Sequence, residues 1–258
     1  MREERKNRSS VMSTSDRSIF RLTGSDTESF LQGLITNDMA HLTDGLLYAA
    51  ILTPQGKYLA DFFLKRDEDA VLLDADAAQA PALQQRLTMY KLRADVTIEP
   101  TDLHLHRGLS ATPEDGATDP RTPELGWRAY RDTLQTDDTT DWTALYVANK
   151  VPNAGLELDQ NSFILEMGFE RLNGVDFKKG CYVGQEVTAR MKHKTELRKG
   201  LALVRVDGPA SPGATILKGD REVGTLHSVA GDQALAYLRF DRAGEDMTAG
   251  DAKISYPA

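Results

Sequence analysis

The chain has one cysteine, Cys181, among 258 residues. No internal disulfide can form, and a four-thiolate metal or iron–sulfur site cannot be built from this chain alone. A single unpaired thiol suits a reducing compartment, and a cytoplasmic location is the expectation. Long hydrophobic runs are also missing. No stretch approaches the ~20 apolar residues of a membrane helix, so no membrane contact is expected. The five histidines lack zinc spacing apart from His104-x-His106, which reads as one face of a strand or loop. No metal site is expected, and no Gly-rich phosphate loop is present. The opening MREERKNRSSVMSTSDRS lacks the apolar core of a secretory signal. Glu3 and Glu4 argue against an acid-poor organelle leader, and residues 1–17 read as a disordered tail.

What is present is globular: 40% hydrophobic and 27% charged residues. The length suits two packed units or a multi-lobed body. Net charge is −8, which disfavours general nucleic-acid binding. Between Phe177 and Lys199, however, seven basic residues face two acidic ones, a local +5. Such a patch suits a small anion or an acidic partner surface, though charge alone favours a merely solvated lysine-rich face.

Strands are expected at Ile19–Leu22, 46–53, 58–65, 70–75 and 94–100, the second and third joined through Pro54-Gln55-Gly56. Ser25 and Glu28 read as a capping box ahead of a helix carrying Phe30, Leu31, Leu34 and Ile35 on one face. A second helix is expected over 77–92. Residues 110–141, with Pro113, Pro120 and Pro123, read as loop and as a seam between lobes. A helix begins near 142. From Leu201 onward, short strands and a Gly219-Asp220 turn indicate a small antiparallel barrel or sandwich.

Cys181 sits in FKKGCYVGQEVTARMKHK. Gly180 and Gly184 permit unusual backbone and close ligand approach. A helix after Gly184 would carry Gln185 and Glu186 in its first turn and Arg190, Lys192 and Lys194 in its last, matching the macrodipole. A thiol near that N-terminus and beside Lys178 and Lys179 would be biased toward thiolate. The opposite reading, a buried inert cysteine, stands beside it on local grounds.

The pattern Phe177, Lys179, Gly180, Cys181, Tyr182, Gly184, Gln185, Glu186 and Arg190 resembles the signature of the YgfZ family, relatives of the glycine-cleavage aminomethyltransferase (GcvT) that support iron–sulfur enzymes. FLQGLITNDMAHLTDGLLYAAILTPQGKYLADFFL (30–64) is separately similar to the folate-binding region of both families. The resemblance covers roughly 18–100 and 145–205; residues 101–144 match nothing nameable. It implies an α+β fold. GcvT-like folate-binding lobes, about 18–100 and 101–199, would surround a central cleft, with a small C-terminal antiparallel β-barrel over 200–258. It also implies tetrahydrofolate or a derivative as ligand, contacted by Asn37, Asp38, Glu166, Gln185, Glu186 and Arg190. Cys181 would be the functional thiol, with Lys179 beside it. Iron–sulfur enzymes or assembly proteins would be partners, and tRNA an indirect one through tRNA-modifying enzymes.

The departures point away from glycine cleavage. The paired aspartates of the aminomethyltransferases reduce to Asp61, the one carboxylate left as a catalytic candidate there. The Arg-x-Glu-x-Gly segment that contacts the pterin becomes VANKVP (147–152), with no carboxylate. Ile164 replaces a proline two residues before Glu166. Three functions therefore remain open: a folate-binding iron–sulfur maintenance factor, a one-carbon transferase, and a non-catalytic module docking a partner or tRNA.

Overall fold

The run LLYAAIL forms β2 (Leu46–Leu52), and all seven of its residues are buried. A strand covered on both faces is continuously hydrophobic instead of alternating. In this computed structural model, which describes residues 16–193 and 196–256, β2 is one edge of a five-stranded antiparallel sheet. Its neighbours are, in spatial order, β3 (Tyr58–Asp67), β4 (Ala70–Asp76), β1 (Arg17–Thr23) and β5 (Thr97–Pro100). One face packs Leu47, Ile51, Phe62, Leu64 and Leu73 against Leu31 of α1 (Thr27–Gln32) and Leu83 and Leu87 of α2 (Ala80–Lys91). The other packs Tyr48, Leu52 and Phe63 against α3 (Trp142–Ala148), Phe169, Leu172 and Tyr182. The two-residue period of the strands sends Asp61 and Asp74 to this second face.

A second antiparallel sheet, in the order β6 (His104–Gly108), β8 (Trp127–Arg131), β7 (Ala117–Thr118), lies over that face. After α4 (Gln185–Lys192) the chain enters six strands: β9 (Lys199–Asp207), β10 (Thr215–Lys218), β11 (Arg221–Ala230), β12 (Gln233–Arg239), β13 (Met247–Ala249) and β14 (Ala252–Ser255). They close as β10-β11-β12-β9-β14-β13, which removes exposed sheet edges. The expected α+β body with a C-terminal antiparallel barrel is present. The barrel is tied to the body by Glu157, which accepts from the Ser228 hydroxyl at 2.6 Å, and by Glu166, which accepts from the Tyr237 hydroxyl at 2.6 Å.

Several local expectations are corrected. The capping box does not form: Asp26 precedes α1, and the Ser25 hydroxyl donates to Asp95 instead. The second helix starts at Ala80, not 77. β1 begins at Arg17, inside the expected tail; residues 1–15 lie outside the described ones. Residues 110–141 are not simply loop, because they contain β7 and β8. Hydrophobic alternation misses these strands because ion pairs do much of their packing. Arg128 on β8 donates to Asp74 on β4 at 2.6 Å, and Tyr130 donates to the same carboxylate at 3.0 Å. Arg17 on β1 supplies a third donor at 2.6 Å. Arg121 grips Asp119 with two bonds, at 3.0 and 2.8 Å.

Asp74 and Asp119 are almost wholly buried. Burial pushes both carboxyls up, but Arg17 and Arg128 around Asp74, and Arg121 and Arg128 around Asp119, outweigh it and hold both below the usual carboxylate range. Asp74→Ala should cost about 3–5 kcal/mol, since it removes the main partner of the buried Arg128 and of the partly buried Arg17. Folded-state pKa values below the unfolded ones mean that this stabilisation is complete above about pH 5 and is lost as pH falls through the folded values. Urea unfolding of the wild type and Asp74→Ala at neutral and acid pH should show the gap narrowing in acid.

Candidate functional site

Two places on the second face carry chemistry. The first is an inner cavity between the sheets, bordered by Arg17, Asp61, Phe63, Arg107, Arg121, Arg128, Tyr146 and Pro152. It holds about 30 Å³, room for one or two waters. Asp61 accepts from the Tyr48 hydroxyl at 3.0 Å and closely from Tyr58. Burial, then the Asp61 charge, pushes both phenols far above their ordinary value, so they remain donors. Burial also pushes Tyr146 up, but Arg121, Arg107 and Arg128 outweigh it and bring its hydroxyl below the ordinary phenol range.

This cavity is where the implied folate would be expected. It is bordered by Asp61 and by Pro152, the end of VANKVP. The residues do not fit a pterin. Pockets for drug-sized ligands start at about 300 Å³. Of the carboxylates that border the cavity, Asp61 is held by two tyrosines and Asp76 accepts from the Ala78 N–H, with Asp16 beside them at the rim, so Asp61 is not free to accept the pterin donor pair. Glu166, Gln185, Glu186 and Arg190 do not border the cavity. Asn37 borders a separate open groove of about 1190 Å³.

The expected ligand set is therefore dispersed. Asn37 is a structural amide. Its nitrogen donates to the Tyr48 and Asn173 carbonyls at 2.9 and 2.7 Å, and its oxygen accepts from the Asp38 N–H. Asp38 caps the 3₁₀ turn 39–44 by accepting from the Ala40 N–H. Glu166 faces the barrel through Tyr237. Glu186 and Arg190 pair with each other one turn apart on the exposed side of α4. Gln185 reaches only the Gly180 carbonyl, at 3.4 Å.

The second place is the Cys181 segment. Cys181 is exposed, so the buried-filler reading falls. Lys179 is not its partner. The Lys179 ammonium is buried and donates to the carbonyls of Gln32, Ile35 and Asn37 at 2.8, 2.6 and 2.8 Å. Carbonyls at and beyond the end of a helix lack intrahelical donors, and this lysine supplies them. Burial pulls its pKa down to about 8, opposed by Asp38 and Asp176. Tyr182 is buried in the second core, 5.0 Å below that ammonium. Gly184 has φ +87° and precedes α4; a Cβ there would lie 2.6 Å from the Thr53 carbonyl oxygen. Gly56, φ +73°, makes the reciprocal approach, where a Cβ would meet Val187 at 2.8 Å. The Cys181 loop is thus clamped to the β2–β3 turn by two glycines. Gly180, by contrast, has an ordinary φ and open space around it.

The basic stretch is less free than its sequence suggests. Lys179 is buried, Arg190 pairs with Glu186 and Lys192 with Glu170. Lys194 lies outside the described residues. Among the described residues, no three His, Cys, Asp or Glu side chains are placed to hold a metal, and no helix is long and apolar enough to cross a membrane. Sequence reasoning missed Arg107, Arg121, Arg128 and Tyr146, which fall in or beside the segment read as loop.

Two contrasts check this anatomy. Gly184→Ala should destabilise by about 2 kcal/mol or more, from positive φ plus collision, while Gly180→Ala should stay within about 0.5 kcal/mol. Lys179→Met should cost about 2–4 kcal/mol by leaving three carbonyls without a donor. Urea midpoints of the purified variants measure all three.

Comparison with known proteins places this geometry. Residues 198–257 match the family described as CAF17, C-terminal beta-barrel domain. The crystal structure of glycine cleavage system aminomethyltransferase T from Bartonella henselae superposes with a TM-score of 0.74, covering 95% of this chain and 84% of that one. At 14% identity, that likeness establishes the fold. The Mus musculus protein named iron-sulfur cluster assembly factor IBA57, mitochondrial, is 32% identical over 86% of this chain and 75% of its own length. The Homo sapiens protein of that name is 31% identical with the same coverage. The Mycosarcoma maydis homolog is 32% identical, over 71% of this chain and 54% of its own length. These relatives are named as mitochondrial, which overturns the cytoplasmic expectation. A lone cysteine speaks for reducing conditions without saying which compartment supplies them. The chain belongs to the IBA57 family of iron–sulfur cluster assembly factors.

Proposed function

We propose that the chain acts in iron–sulfur cluster assembly through Cys181. The observation that carries this reading is how the KGCYVGQE segment divides its labour. Lys179, Tyr182 and Gly184 anchor the loop, and the thiol between them faces solvent. A thiolate is a soft ligand for iron, and one thiolate supplies one of the roughly four cysteine ligands a cluster normally takes. The remaining ligands come from a partner, so the cluster is cargo shared across an interface. Iron–sulfur enzymes and assembly proteins are the partners in this reading, tRNA-modifying enzymes among the clients. Lys179 is a positioning residue. The signature around Cys181 also supports kinship with the YgfZ proteins.

The other two readings lose support. Aminomethyl transfer would rest on Asp61, which is occupied by two tyrosines. Docking through the basic stretch would rest on charges that are partly paired or buried.

In cells depleted of the endogenous protein, Cys181→Ser should leave iron–sulfur enzyme activities at the depleted level. The thermal midpoint of the purified variant should match wild type, because the replaced side chain is exposed. Full restoration by Cys181→Ser would remove the thiol from the mechanism.

A further inference from the structure

Arg121 is held as a bound ligand would be. Its guanidinium donates through Nε and Nη2 to the two oxygens of Asp119, at 3.0 and 2.8 Å. Its carbon centre lies 5.6, 4.8 and 5.2 Å from the ring centroids of Tyr48, Phe63 and Tyr146. A planar group with two adjacent donors, paired to a carboxylate and surrounded by aromatic rings, is also a description of a bound pterin, whose amino group and ring N–H form the same donor pair. The place agrees as well. The cavity beside Arg121 is bordered by Asp61 and Pro152, from the two segments whose resemblance to the aminomethyltransferases implies a pterin contact.

We infer that Arg121 is a built-in occupant of the pterin subsite, so that tetrahydrofolate does not enter the inner cavity of this chain. Arg107 and Arg128 border the cavity beside it, and the remaining space of about 30 Å³ has room for no more than one or two waters. The inference is independent of the role given to Cys181. A folate-free inner cavity is compatible with either outcome of the thiol test.

The chain's two tryptophans provide a local readout. The Trp142 indole N–H donates to Asp138, and its ring lies 4.1 Å below the Arg107 guanidinium that borders the cavity. Trp127 donates to Ser110, away from it. Full-length protein labelled with ¹⁵N is titrated anaerobically with tetrahydrofolate to about 1 mM, while calorimetry follows total binding. The Trp142 indole signal should stay fixed. Heat without movement of Trp142 would mean a ligand bound elsewhere, and also supports a closed cavity. A saturable Trp142 shift that disappears in Asp61→Asn would overturn the inference.

A second measurement tests the mimicry itself. Arg121→Ala should lower the thermal midpoint, and millimolar ethylguanidinium should raise it saturably toward wild type. Ethylammonium, which lacks the planar donor pair, should not do so, and wild type should respond to neither. Equal rescue by both cations would reduce Arg121 to an ordinary buried charge and overturn its role as ligand mimic. If Arg121→Ala does not fold, the wild-type titration still decides whether a pterin enters.

Discussion

The pairing of buried guanidiniums with buried carboxylates holds the functional lobe together. Asp74 joins β1, β4 and β8 through Arg17, Arg128 and Tyr130. Without those donors, the carboxylate would be an uncompensated charge in the interior, and the second sheet would lose its main polar tie to the first. Asp119, 3.5 Å from Arg128, extends the network to Arg121. Because Arg121 is fixed there, the space between the sheets is occupied by the protein itself.

That occupancy divides the chemistry of the scaffold. A central cleft lined with free carboxylates could bind a donor-rich heterocycle. Here the corresponding carboxylate, Asp61, is hydrogen-bonded by two phenols whose protons are held firmly. The exposed chemical group lies elsewhere, on the loop before α4. That loop has no regular structure of its own. Its position depends on a lysine driven into the end of α1, a tyrosine in the second core, and two glycines whose backbones touch. Each anchor fixes a neighbour of Cys181 and leaves the thiol in solvent.

Much of the fold was legible from residues alone. LLYAAIL and YLADFFLK announced paired strands because continuous burial demands continuous apolarity, and Gly56 marked the turn between them. The C-terminal strands were readable from their turns. The middle of the chain was not. WRAYR and the Asp119–Arg121 pair read as polar loop, because hydrophobic periodicity has no term for a guanidinium packed on a ring and paired with a carboxylate, whether two residues away, as for Arg121, or on a distant strand, as for Arg128. The capping box at Ser25 failed for a related reason. Asp95, seventy residues away, offered that serine a better partner than its own helix.

The sequence by itself determined that one thiol would carry any cysteine chemistry, and its motif context was visible before any coordinates. It also determined the absence of a second carboxylate beside Asp61 and of any carboxylate in VANKVP. Only the tertiary structure decided what those losses mean. Lys179, two residues from Cys181, turns inward because the carbonyls around the end of α1 are its best partners. Asn37 and Asp38 serve the backbone because the β2 edge and a 3₁₀ turn require them. Arg121, unremarkable in the sequence, fills the place of a ligand because folding brings the rings of Tyr48, Phe63 and Tyr146 around it and its near neighbour Asp119. Local order follows from neighbours along the chain; a binding site depends on which distant groups burial forces to satisfy one another.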